Sequence, residues 1–193
     1  MSSPDAAFRQ MVEALEQLKI PFYVCGSVAS SAHGIIRATA DVDLVAAVMP
    51  QHIPELVSEL GKEFYVDPDM IRKALAAGRS FNLIHFATAY KFDIFPVGEG
   101  PFEQAQFQRR AIAPVRIEGA EQIQVPIASV EDTLLSKLAW FRAGGEVSDR
   151  QWHDVRGIVE VKKGQLDLPY LRHWAAYLRL EDLLDRVFAQ SSA

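Results

Sequence analysis

The sequence predicts an α/β (α+β) protein with a helical bundle at its C-terminus, and two observations support this. Up to residue 128, short runs of strand-forming residues alternate with stretches in which apolar residues recur at helical spacing. From Ser129 onward only the helical pattern remains. With 193 residues, the chain is long enough for one domain or for a core with a small helical addition. We therefore predict a core at 1–128 and a helical region at 129–193 that packs on it.

Turn and capping residues predict the order of the elements. Ser3 and Pro4 are typical of an N-cap and a first helical position, so an opening helix is expected. Ser129, followed by Asp132, is a capping arrangement that begins the first of four expected C-terminal helices. Strands are expected at 22–25, 40–48, 64–66, 81–86, 90–95, 109–118 and 122–125, helices at 28–33, 51–60 and 69–77, and one helical turn at 102–106.

Charge and cysteine content exclude several classes of protein. A net charge of -5 argues against a protein that coats nucleic acid by bulk electrostatics. The single cysteine, Cys25, excludes an internal disulfide, fits a reducing compartment and is expected to be a small buried residue. No apolar run reaches the roughly 18 residues of a membrane span, and no signal segment is evident. We expect a cytoplasmic protein with no membrane partner.

A turn of small residues follows the first expected strand. Gly26 and Ser27 interrupt the apolar run 22–25, and small residues continue to His33. The simplest local structure is a strand, a tight turn and a short helix. Glycine lets a ligand approach the backbone, and the free amides at a helix start attract anions. A triphosphate is therefore a natural ligand here, whereas His33 is expected to have a helix-end or packing role.

Asp41 and Asp43 lie on the next expected strand. Side chains two residues apart on a strand share a face, so both carboxylates project together while Val42 and Leu44 point to the core. Close carboxylates repel each other unless a cation or a proton intervenes. Magnesium commonly takes one or two carboxylates together with substrate phosphates, so the pair suits a nucleotide-bound metal. The alternative is a polar strand end with two solvated aspartates.

A third acid, Asp93, favours the metal interpretation. Residues 81–86 and 90–95 have the pattern of an antiparallel hairpin, and Asp93 is the only acid in its second strand. An acid between Phe92 and Ile94 is costly to bury without a partner. If this strand lies beside the strand of Asp43, the three carboxylates can hold one or two metal ions.

A glycine–serine turn, a helix, an Asp-x-Asp strand and a later strand aspartate together resemble the DNA polymerase beta superfamily, in its minimal nucleotidyltransferase form. The resemblance implies the nucleotidyltransferase fold, a mixed central sheet flanked by helices. It implies that Gly26 and Ser27 hold the phosphates of an NTP. It further implies that Asp41, Asp43 and Asp93 bind two divalent ions, Mg2+ or Mn2+, for in-line transfer of a nucleotidyl group.

The second half of the chain resembles the abortive-infection (AbiEii-like) toxin type of this superfamily. The likeness lies in SVEDTLLSKLAWFRAGGEVSDRQWHDVRGIV, and it implies that Lys137 and Asp154, on successive helices, complete the active site. A lysine there can bind a triphosphate, and Asp154 can orient either that lysine or the incoming nucleophile. The alternatives are a surface lysine and a helix-face aspartate in a salt bridge. Arg37 either grips the triphosphate, pairs with the acids or forms a structural salt bridge.

These resemblances imply an Mg2+-dependent nucleotidyltransferase that moves an NMP from an NTP to an acceptor hydroxyl. The toxin resemblance suggests an RNA end or a protein as acceptor and a cognate antitoxin as partner; small aminoglycoside-like alcohols are acceptors elsewhere in the superfamily. The alternative is a nucleotide-binding or partner-binding regulatory module that keeps the fold without turnover. The presence of all three carboxylates and the turn favours the enzyme.

Overall fold

The protein is described by a computed structural model that covers residues 3–35, 39, 41–117 and 121–191. The strands of this part of the chain are β1 (Phe22–Val24), β2 (Asp41–Ala46), β3 (Phe64–Tyr65), β4 (Phe81–His85), β5 (Lys91–Pro96), β6 (Ala111–Val115) and β7 (Ile123–Ile127). The helices are α1 (Pro4–Gln17), α2 (Gly26–Ala32), α3 (Ile53–Leu60), α4 (Pro68–Ala76), α5 (Pro101–Arg109), α6 (Val130–Ala143), α7 (Asp149–Val161), α8 (Leu168–Leu178) and α9 (Glu181–Gln190), with a 3-10 turn at Pro50–His52 before α3.

All of these strands form one mixed sheet. Their order is β3-β4-β5-β2-β1-β7-β6. The central pair, β2 and β5, is parallel, as is the pair β1 and β7, whereas β1–β2, β3–β4, β4–β5 and β6–β7 are antiparallel. The predicted α/β (α+β) fold class is confirmed, including the hairpin of β4 and β5.

Three helix starts have capping contacts, and those at Ser3 and Ser129 were predicted. Ser3 accepts a hydrogen bond from the amide of Ala6 at 3.2 Å, and Ser129 accepts one from the amide of Asp132 at 3.1 Å. Asp67 accepts hydrogen bonds from the first amides of α4. Each contact satisfies backbone donors that a helix cannot satisfy internally, which is why these helices begin where the sequence predicts.

Several predicted boundaries differ from the structure: α2 begins at Gly26 itself, where a turn before a helix at 28–33 was expected, and the largest difference lies around α5. The turn expected at 102–106 is the longer helix α5, and the strand expected from Arg109 begins only at Ala111. Arg109, the last residue of α5, contacts two other helices: its guanidinium is 3.2 Å from Glu131 Oε2 and 3.8 Å from the ring centre of Tyr170. Local propensity does not contain these distant contacts.

The buried apolar residues form two clusters. The first includes Phe8, Leu44 and Phe92 and joins the sheet to α1, α3 and α4. The second joins α6, α7, α8 and α9 through residues such as Leu138 and Leu184, and it also takes in Phe102 of α5. None of the described helices combines the length and apolar character that crossing a bilayer requires.

Candidate functional site

Two parallel neighbouring strands bring the predicted acids to one face of the sheet. In the register of β2 and β5, Asp43 lies opposite Asp93 and Asp41 lies opposite Lys91. Val42 and Phe92 are fully buried between these positions, so the polar side chains project from the other face. The condition under which the three carboxylates can act together, that β5 lies beside β2, is therefore met.

The start of α2 lies directly against Asp43. The amide of Cys25 donates a hydrogen bond to the backbone oxygen of Asp43 at 2.9 Å. Gly26 has φ +60°, and a Cβ added there would lie 1.9 Å from Asp43 Oδ2. Both the left-handed backbone and the missing side chain are needed at this point. Glycine thus allows the first turn of α2 to approach the acidic face.

The environment of Asp43 disfavours the ionised form of its carboxyl. Burial raises the pKa of the Asp43 carboxyl to about 6, the negative charges of Asp41 and Asp93 act in the same direction, and the positive charges of Lys91 and Lys137 act against them. Desolvation and neighbouring acids both penalise the ionised form. A cation bound at this face would relieve both penalties.

Lys137 and Asp154 form a buried ion pair beside the acids. The Lys137 Nζ is 2.8 Å from Asp154 Oδ2, and the two side chains are only 12% and 5% exposed. The alternative of a surface lysine is therefore wrong, whereas the alternative of a salt bridge for Asp154 agrees with the contact. Since the charge of Lys137 acts on the Asp43 carboxyl, α6 and α7 hold this pair within electrostatic reach of β2.

Lys91 belongs to the same face, although it is not among the residues predicted for the site. Its Nζ lies 2.7 Å from Asp93 Oδ2 and 3.9 Å from Asp41 Oδ2. The signal was present in the sequence, because Lys91 is two residues before Asp93 on one strand and must share its face. The Thr39 hydroxyl also contacts this cluster, because it donates to Asp41 Oδ1 at 2.9 Å.

The carboxylates of Asp41, Asp43 and Asp93 are suitable ligands for a hard divalent cation, although they are not arranged around one. Among the described residues, no three His, Cys, Asp or Glu side chains form a group that is ready to hold a metal ion. Carboxylate oxygens are nevertheless the ligands that Mg2+ and Mn2+ prefer. The raised pKa of Asp43, caused first by burial, and the ammonium already held between Asp41 and Asp93 both show that this face favours positive charge.

The remaining predicted residues have simpler surroundings. Ser27 lies in the first turn of α2, where its backbone oxygen accepts from the Ser31 hydroxyl at 3.1 Å. Arg37 lies outside the described residues. His33 caps the C-terminus of α2 and contacts the Ala128 oxygen at 2.9 Å, which is the expected helix-end role. Burial and the charge of Asp43 raise the pKa of the Cys25 thiol, which disfavours a nucleophile.

No family model matches this sequence, and no curated protein matches it. Solved structures do. The solution structure of the antibiotic-resistance factor ANT(2'')-Ia is 15% identical, with a TM-score of 0.54 over 95% of this chain and 95% of that chain. The crystal structure of ANT(2'')-Ia in complex with adenylyl-2''-tobramycin is 14% identical, with a TM-score of 0.55 over 90% of this chain and 95% of that chain.

A third structure shows a similar likeness. An antigenic nucleotidyltransferase-like protein from Paracoccidioides brasiliensis is 18% identical, with a TM-score of 0.53 over 96% of this chain and 92% of that chain. At such low identities the likeness concerns the fold alone. The mixed sheet, its flanking helices and these neighbours together show that the chain has the nucleotidyltransferase fold.

Proposed function

We propose that this protein is an Mg2+-dependent nucleotidyltransferase that moves an NMP from an NTP to an acceptor hydroxyl. The observation that carries the proposal is the shared face of Asp41, Asp43 and Asp93 on neighbouring strands, directly against the glycine that begins α2. The alternative, a polar strand end with two solvated aspartates, does not explain why the absence of a side chain at Gly26 makes room for the Asp43 carboxylate. The nucleotidyltransferase fold of the whole chain supports the same conclusion.

Each residue of the site has a proposed role. Asp41, Asp43 and Asp93 would hold Mg2+ or Mn2+, with two ions as the arrangement implied by the resemblance. Bound there, the ions would neutralise phosphate charge and activate the acceptor hydroxyl. The turn at Gly26 and Ser27 offers backbone amides to the triphosphate, because the first amides of a helix have no intrahelical acceptor.

The buried pair Lys137 and Asp154 supplies a positive charge of defined position. Asp154 holds the Lys137 ammonium at 2.8 Å, which restricts where that charge can lie. A fixed ammonium near the acidic face can bind the triphosphate and offset the charge that develops on it. Asp154 is accordingly a positioning residue in this proposal. Arg37 is proposed as a second contact to the triphosphate.

The proposed reaction is an in-line displacement. The acceptor oxygen forms a bond to the α-phosphorus, the bond from that phosphorus to the bridging oxygen of the β-phosphate breaks, and pyrophosphate leaves. The hydroxyl proton passes to a carboxylate, for which Asp93 is our candidate. Positioning of the reactants and stabilisation of charge provide most of the catalysis in transfers of this kind.

Three classes of acceptor remain in the proposal. The toxin resemblance suggests an RNA end or a protein, with a cognate antitoxin as partner. The complex of ANT(2'')-Ia with adenylyl-2''-tobramycin adds a small amino sugar as a third class, since that structure is similar to 90% of this chain. The net charge of -5 disfavours broad binding of RNA.

The test uses each α-labelled NTP with Mg2+ and purified protein, in the presence of total RNA, of cell protein or of an aminoglycoside. We expect label on one acceptor class, and a loss of at least about a hundredfold in Asp41→Asn. Asp69→Asn is the matched control, because Asp69 is an exposed helix residue paired with Arg72. Nucleotide binding without any transfer would contradict the enzyme and support the regulatory module.

A further inference from the structure

The Lys91 ammonium lies where a cation shared by two strands would lie. Its nitrogen is 2.7 Å from Asp93 Oδ2 and 3.9 Å from Asp41 Oδ2. These two acids belong to β5 and β2, and Lys91 is paired in register with Asp41. Both the parallel register and the two-residue strand repeat therefore direct this side chain between the carboxylates. The backbone thus places Lys91 on the acidic face, and its side chain, 40% exposed, brings the ammonium to the two carboxylates.

The acids of this face are not equally neutralised. Asp41 and Asp93 each have the Lys91 ammonium within 4 Å, whereas none of the ion pairs within the described part of the chain includes Asp43. The Asp43 carboxylate instead lies against the backbone of Gly26. Asp41 and Asp93 thus have an ammonium within ion-pair distance, whereas the charges of Lys91 and Lys137 act on Asp43 from beyond that distance.

We infer that Lys91 is an internal cation that competes with a divalent ion for the carboxylates of Asp41 and Asp93. The inference rests on the proposed function, because it assumes that the acidic face binds divalent ions. An ion that uses Asp93 must first displace the ammonium and must then remain close to a positive charge. An ion that uses Asp43 meets less competition. Lys91 therefore sets the affinity for divalent ions and makes binding at the two sides unequal.

The first test measures Mn2+ binding by electron paramagnetic resonance, without nucleotide, so that activity is not the readout. Lys91→Met keeps an unbranched side chain, one atom shorter, and removes its charge. We expect Lys91→Met to bind Mn2+ about tenfold more tightly than the wild type or better. Lys91→Arg, which restores the charge, is expected to bind like the wild type. Lys62→Met is the control at an exposed lysine in the turn after α3.

A second test uses the wild-type protein and so does not depend on the folding of a variant. The rate at which Lys91 is acetylated is measured by peptide mass spectrometry with and without Mg2+. Displacement from Asp93 frees the amine, so we expect Mg2+ to raise the acetylation rate of Lys91 severalfold and to leave that of Lys62 unchanged. An unchanged rate at Lys91 overturns the inference.

The outcomes separate this inference from the proposed function. If Lys91→Met binds Mn2+ no more tightly than the wild type, Lys91 does not compete with divalent ions for these carboxylates. The same conclusion holds if neither protein binds Mn2+. Asp43→Asn tests the assumption that the acidic face binds divalent ions. We expect it to weaken Mn2+ binding strongly both in the wild type and in Lys91→Met. If Asp43→Asn binds Mn2+ normally, the divalent site lies elsewhere, and the metal part of the proposed function fails as well.

Discussion

At the residue scale, Gly26 shows how a single missing side chain shapes the site. Gly26 and Gly78 both have φ +60°, so both favour glycine for the same backbone reason. They differ in their surroundings: a Cβ at Gly26 would lie 1.9 Å from Asp43 Oδ2, whereas a Cβ at Gly78 would meet nothing within 4 Å. Comparing the two positions separates backbone strain from contact with the acid.

This comparison gives a mutational prediction. Gly26→Ala and Gly78→Ala are each expected to lower the free energy of unfolding by about 1–2 kcal/mol from the left-handed backbone. Gly26→Ala should lose more, because Asp43 must move away from the new methyl group, and it should also weaken Mn2+ binding. Chemical denaturation and Mn2+ titration of both variants provide the measurement. Equal losses at the two positions, with unchanged Mn2+ binding, would contradict the role assigned to Gly26.

The alternation of β2 and β5 could be predicted residue by residue. Asp41 and Asp43 were expected on one face because the period of a strand is two, and their neighbours Val42 and Leu44 are indeed fully buried. The same rule applies to Lys91 and Asp93. Lys91 was not predicted as a site residue, although its position two residues before Asp93 already places it on the same face of the strand.

At the element scale, α6 links the sheet region to the other helices. It carries Lys137 towards β2, and at its start Asp132 is fully buried. Burial raises the pKa of the Asp132 carboxyl, while hydrogen bonds from Ser129 and Tyr170 act in the opposite direction. The Tyr170 hydroxyl of α8 donates to Asp132 Oδ1 at 2.7 Å. Removing that donor leaves a buried carboxyl with one partner fewer.

We therefore expect Tyr170→Phe to lower the free energy of unfolding by about 1–3 kcal/mol, the range for a hydrogen bond to a buried or charged group. Tyr177→Phe is the matched control on the same helix: Tyr177 is 54% exposed, and its ring contact with Trp174 does not need the hydroxyl. Its loss should be close to zero. Urea denaturation of the two variants makes the comparison, and indistinguishable midpoints would rule out the proposed contribution of the Tyr170 hydroxyl.

At the scale of the whole molecule, the predicted division into 1–128 and 129–193 raises the question of how the two regions unfold. Several contacts cross the boundary. Arg109 of α5 pairs with Glu131 of α6, Phe102 belongs to the cluster of the C-terminal helices, and the Gln106 side-chain amide donates to the Ser136 hydroxyl at 2.7 Å. Such contacts couple the stability of one region to that of the other.

We expect the chain to unfold in a single transition. The tryptophans Trp140, Trp152 and Trp174 all lie in 129–193, so their fluorescence reports on the helical region. Hydrogen exchange of the β2 and β5 amides reports on the sheet. Coincident urea midpoints from the two probes are expected for a two-state protein. Separate midpoints would show two independently stable units and would contradict this prediction.

The sequence by itself determined the elements and the faces of single strands, because capping, turn residues and periodic burial are local properties. It therefore predicted the fold class, the helix starts at Ser3 and Ser129, and the common face of Asp41 and Asp43. Beyond the predicted hairpin of β4 and β5, only the tertiary structure decided which strands are neighbours and in what register. The parallel pairing of β2 and β5 sets Asp43 opposite Asp93 and Asp41 opposite Lys91, and packing of α6 brings Lys137 within reach. Those relations depend on burial and contacts between residues about fifty or more positions apart, which no local pattern in the chain contains.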